Sequence, residues 1–140
     1  MSFAGIATRG VGLAADAVLL TLIYLVGTGL LGLVVSLVWK PWPAWAVDTF
    51  LAVAWVLLEV TYFTWFWSNV GQTPGMRLMH VRVAVAGGST PGFWRSLLRL
   101  IGLALAILLL FLGFVPVLFD DRRRALQDYL AGTVVVSTDP

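Results

Sequence analysis

The chain has 140 residues, 60% hydrophobic and 11% charged, with seven tryptophans, no cysteine and a formal net charge of +2. With a mean hydropathy of +0.95 it reads as a membrane protein, and it lacks the means for disulfides, thiolate metal sites or a cysteine nucleophile. No basic face alternates with stacking aromatics on a soluble scaffold, so lipids and other membrane proteins are the expected partners and nucleic acid is not.

The first apolar segment covers about 11–39. Its charge-free part, Ala17 to Trp39, is 23 residues long, or roughly 35 Å of helix, enough to cross a hydrocarbon core of about 30 Å with some tilt. It is too long for a signal-peptide h-region and carries Asp16, so it is expected to stay as a membrane anchor. Arg9 stands at its mouth and Asp16 about two turns inside, where a carboxylate needs a partner or water. The seven-residue spacing strains a direct Arg9–Asp16 salt bridge, because Asp16 leans toward Arg9 while Arg9 leans away. Asp16 is therefore expected to meet Arg95, Arg99 or Arg82, and Arg9 to meet Asp128 or a lipid headgroup. Thr28, Gly32 and Ser36 form a small-residue stripe that suits close helix packing, although ordinary glycine usage in membrane helices gives the same pattern.

Lys40 to Pro43, KPWP, breaks the helix. With Trp39, Trp42 and Trp45 it makes an aromatic belt. The second apolar segment, about 46–67, carries Glu59 on a stripe with Asp48, Trp55, Tyr62 and Phe66. That stripe should face a helix or a wet cavity, and an arginine or Tyr62 could satisfy Glu59. Asp16, Glu59, Tyr62, Arg95 and Arg99 are thus candidates for an intramembrane charge network or ion site.

From Ser68 to Gly92 the sequence changes character: Gly71, Pro74 and Gly75 mark a turn, and alternation over about 80–85 marks a strand. A matching run over about 133–137 could pair with it in a small extramembrane ribbon. Arg95 and Arg99, four apart, share a face at the start of the third apolar segment, about 96–119. That segment either crosses once or folds back as a re-entrant hairpin broken near Gly113 to Pro116. A short surface helix is expected after it, with Asp120 or Asp121 as cap, an Arg124–Asp128 pair, Leu126, Tyr129 and Leu130 on its apolar side, and Gly132 at its end.

Three full crossings divide the basic residues five against four, whereas an even number places eight on one side and only Lys40 on the other. The positive-inside rule then favours a multi-pass protein with the N-terminus, central loop and C-terminus all cytoplasmic. The expected fold is an all-α membrane protein of three apolar helical segments with a small β-ribbon, forming one domain over 1–140.

Four elements in this order resemble the RDD family of bacterial membrane proteins: ATRGVGLAADAVLL with Arg9 and Asp16, GQTPGMRLMHVRV with Gly71, Thr73, Gly75, Arg77 and Arg82, FWRSLLRLIG with Arg95 and Arg99, and RRALQDYLAGTVVV with Asp128. Met76 stands where the family often has lysine, His80 where glycine is frequent, and Gln127 where histidine is often found. The resemblance implies a bacterial plasma-membrane protein for which transport, including cation/proton exchange, has been suggested, without a substrate. Enzyme chemistry has little support: one histidine, no metal-ligand spacing and no serine triad leave no catalytic residues, metal or cofactor to expect. Two functions compete. One is an accessory or scaffold subunit of a larger membrane assembly; the other is a homo-oligomeric carrier using Asp16 and Glu59.

Overall fold

A computed structural model describes residues 2–38, 41–109 and 112–138. Trp39 and Lys40 of the expected aromatic belt lie outside the described residues. Helix α1 spans Ile6–Val38 and helix α2 spans Ala44–Asn69. Pro43 stands at the N-cap of α2, where its missing amide costs no helical hydrogen bond. The short helix α3, Pro74–Leu78, and strand β1, Val81–Val85, follow. Helix α4 covers Phe93–Leu108, a 3-10 helix covers Leu112–Leu118, and helix α5, Leu126–Ala131, leads into strand β2, Thr133–Ser137.

Helices α1 and α2 are long and apolar enough to cross a membrane. The third run does not continue straight: α4 and the 3-10 helix are bent by 105° relative to each other. With 16 residues, or about 24 Å, α4 alone falls short of a bilayer core. The helix stops ahead of the expected break at Gly113. The chain folds back there with Gly113 against α4, where a Cβ would lie 2.5 Å from the Ala106 Cβ.

Strands β1 and β2 are antiparallel, from Val81 opposite Ser137 to Val85 opposite Thr133. The N-terminal segment joins the free edge of β2: Phe3 bridges to Val136, and the Ala4 amide donates to the Val135 carbonyl at 3.0 Å. An isolated two-stranded ribbon is marginal, and here Val83 and Val135 pack into the core with Leu20, Phe63, Trp67 and Leu103. The N-terminus, β1 and β2 therefore share one end of the α1–α2 pair, and the third run leaves and returns to that end.

The expected short helix near the C-terminus is present, ended by Gly132 as expected, but its buried side differs. In α5 it is Gln127, Asp128 and Ala131 that are buried, with Ala125 just before them, whereas Tyr129 and Leu130 are each 47% exposed. The inward face is polar because Asp128 is needed inside as a counterion.

Two buried clusters and an unpaired glutamate as the candidate functional site

Asp16 is 2% exposed on the buried edge of α1 that also carries Arg9, Gly12 and Leu20. The expectation of an arginine partner fails: among the described residues, three uncharged donors hold it. The Tyr62 hydroxyl donates to Oδ1 at 2.7 Å, the Gly75 amide to Oδ1 at 2.8 Å and the Thr73 hydroxyl to Oδ2 at 2.5 Å. Thr73 is the N-cap of α3, Pro74 opens the helix, and Thr73 Oγ1 also accepts from the Met76 amide at 3.3 Å. A carboxylate thus sits where a helix start presents unsatisfied amides. Gly75 permits this approach, since a Cβ there would lie 2.1 Å from the Gly12 carbonyl oxygen and 2.8 Å from the Asp16 Cγ. The Thr-Pro-Gly start of α3 is the sequence signal that could have identified these donors.

The rest of the loop motif fixes the approach. Gly71 (φ +80°) accepts from the Val83 amide at 2.7 Å, which ties the end of α2 to β1. Arg77 Nε donates to Gln72 Oε1 at 3.3 Å, and Arg82 Nη2 donates to the Gly88 carbonyl at 3.0 Å. Neither arginine joins Asp16.

A second cluster gathers around Asp128, which has 0% exposure. Arg9 Nη1 meets Oδ2 at 2.5 Å, and Arg99 Nη1 meets Oδ1. The Ala125 amide donates to Oδ2 at 3.0 Å and the Thr133 hydroxyl to Oδ1 at 3.2 Å. Burial pushes the Asp128 carboxyl pKa up, but the charges of Arg99 and Arg9 and the Ala125 amide outweigh it, and the net shift is downward. The Arg99 guanidinium also lies 4.9 Å from the Trp67 ring. Ala125 and Thr133 were absent from the residues expected at this site. The capping geometry of α5, in which a third-position acid reaches back to the cap amide, is the signal that points to Ala125.

The expected single charge network is thus two clusters plus outliers. Arg95 joins neither; its Nη1 donates to the Ala131 and Gly132 carbonyls at 3.5 and 3.3 Å, at the end of α5. The expected Arg124–Asp128 pair is replaced by Arg124–Asp120 at 3.0 Å, because Asp128 points inward. Glu59 is half-buried on the wall of an apolar cleft of about 540 Å³ between α1, α2 and α4, together with Leu20, Thr21, Trp55 and Leu103. Among the described residues no hydrogen bond or ion pair reaches it.

Chemically, both carboxylates are held by internal donors: Asp128 receives four, two on each oxygen, and Asp16 receives three, two on Oδ1 and one on Oδ2. Among the described residues no three His, Cys, Asp or Glu side chains converge as a cation site. Neither a curated protein nor a solved structure matches the chain. The family model described as RDD family matches residues 3–132, from the Phe3 bridge to the end of α5, and therefore spans every side chain of both clusters except Thr133. The chain belongs to the RDD family.

Proposed function

We propose that the protein is a non-enzymatic accessory or scaffold subunit of a larger assembly in the bacterial plasma membrane, with both termini and the central loop cytoplasmic. The observation that carries this reading is the internal engagement of both oxygens of Asp16 and of Asp128, which act as fasteners between segments distant in sequence. A second support is the surface left over. The Thr28 and Gly32 stripe is not filled by α2, since nothing lies within 4 Å of a Cβ built on Gly32. A gap of about 660 Å³ lies between that stripe and Ala46, Val47, Phe50 and Leu51. Small residues at such a gap suit a helix from another membrane protein or a second copy of this chain.

Purified in mild detergent, the protein should elute with a fixed membrane partner or as a defined oligomer, and in proteoliposomes it should move no cation. The carrier reading is favoured by one observation, the unpaired Glu59 in its cleft. A sodium, potassium or proton flux abolished by Glu59→Gln in folded protein would replace the scaffold with the carrier. A reporter fused after Pro140 should read cytoplasmic, and an external signal would overturn the orientation.

A further inference from the structure

Among the described residues, Glu59 is the one charged side chain on the wall of the apolar cleft between α1, α2 and α4. The buried side-chain atoms left without a partner are Thr64 Oγ1, Trp67 Nε1, Ser96 Oγ, Arg99 Nε and Gln127 Oε1. Neither Glu59 oxygen is among them, although no hydrogen bond or ion pair reaches Glu59 from the described residues. Its carboxylate therefore keeps surface that another molecule can touch. Trp55 and Phe63 line the same cleft, one turn before and one turn after Glu59 on α2. On the α1 side the cleft runs from Ile6 to Thr21, about 22 Å along the helix, inward from the end that carries the sheet.

These features select among occupants. Hard metal cations gather about six oxygens. Besides Glu59 the wall offers one further side-chain oxygen, the Thr21 hydroxyl, which already donates to the Ala17 carbonyl at 2.7 Å. A proton alone would neutralise Glu59 and leave about 540 Å³ unfilled. A helix about 10 Å across would use that volume in roughly 7 Å of its length, little more than one turn, so the space suits a small molecule and not a partner helix. It falls within the roughly 300–1,000 Å³ of small-molecule sites. An apolar body fits the leucine and alanine walls, a single positive charge answers the carboxylate, and flanking aromatic rings favour an organic cation. We infer that the cleft is a binding site for a lipophilic organic monocation, an ammonium or phosphonium centre with an apolar body, held at Glu59. Binding of this kind needs no flux, so it holds whether the chain is a scaffold or a carrier.

Equilibrium dialysis of tritiated tetraphenylphosphonium against the full chain in nonionic detergent tests the site, with empty micelles subtracted and the buffer above neutrality so that the carboxyl is ionised. The chain should bind the probe saturably. Glu59→Gln breaks no contact, and it should weaken binding at least tenfold while the thermal midpoint holds. Ala104→Phe, at an exposed position on the cleft wall, should weaken it as much by filling the space while the carboxylate stays in place. Tetraphenylmethane, which has the same shape without the charge, should not compete. Absence of saturable binding, undiminished binding by either variant, or competition by the uncharged analogue overturns the inference.

Discussion

The two ends of the α1–α2 pair are built on opposite principles. At the end shared with the sheet, α1 buries Arg9, Gly12, Asp16 and Leu20, and α2 buries Tyr62, Phe63, Thr64 and Trp67. At the other end, from Thr21 to Val38 and from Ala44 to Thr61, no described residue is buried. Both ends are apolar in sequence, yet only one is packed. In lipid, apolarity alone gives helices no reason to prefer each other over acyl chains, so close packing is found where small residues and hydrogen bonds hold it. The packed end has Asp16 with its three donors and Asp128 with its two arginines. The other end has Tyr24, whose hydroxyl donates to the Leu51 carbonyl at 3.2 Å and whose ring meets Trp55 edge-on at 4.9 Å.

That contrast can be broken most severely at Asp128. Asp128→Asn leaves Arg9 and Arg99 buried beside each other without a counterion, and the loss should be about 3–5 kcal/mol. The expected readout is failure to accumulate in the membrane, and normal accumulation with an unchanged thermal midpoint would deny the cluster its anchoring role. Gly75→Ala should come next, at about 1–3 kcal/mol, because the new methyl meets the Gly12 backbone, which cannot swing away as a side chain could. Loss of the α1–α3 contact should appear as rapid proteolysis near residue 75. Asp16→Asn keeps the shape but sets an amide against a hydroxyl or amide donor, and should cost about 1–3 kcal/mol in thermal or denaturant unfolding.

Acid tests the same end without mutation. The folded-state pKa of Asp128 lies below its ordinary value, near 3.9 when unfolded, so its stabilisation is fully present above that value and is lost as pH falls through the folded pKa. The thermal midpoint should therefore hold from neutrality to about pH 4 and fall below it, and a profile flat into stronger acid would contradict the assignment. The smallest effect belongs to the far end. Leu33→Ala, at a side chain 59% exposed, should shift stability by no more than about 0.5 kcal/mol. A large shift there would mean that the outer halves of the helices are packed after all.

Much of this architecture was legible in the sequence because it depends on local patterns. Run length gave the two spans, alternation over 80–85 and the valine run near the C-terminus gave the ribbon, and the balance of arginines argued for a third run that returns. Excluding a strained neighbour on its own helix leaves Arg9 with Asp128 or a lipid headgroup, and Asp128 is the partner found. The partners of Asp16 are not legible because charge marks only arginines as candidates, while the donors are a phenol, a hydroxyl and a backbone amide brought in from 46, 57 and 59 residues away. No periodicity encodes such distances. The buried face of α5 was misread for a related reason: its apolar residues suggested an inward side, but the Asp128 counterion requirement outweighed the burial of Tyr129 and Leu130.

The pairing of Arg9 with Asp128 also sets a schedule for synthesis. The two residues are 119 positions apart, an interval of roughly 6–24 s at about 5–20 residues per second. Throughout that interval α1 has emerged with its arginine uncompensated, and Asp16 likewise waits for Gly75. The nascent chain must be sheltered by the insertion machinery, or keep this end of α1 near the headgroups, until its last helix arrives. A chain halted before Asp128 should therefore fail as a membrane protein even with both of its spanning helices complete.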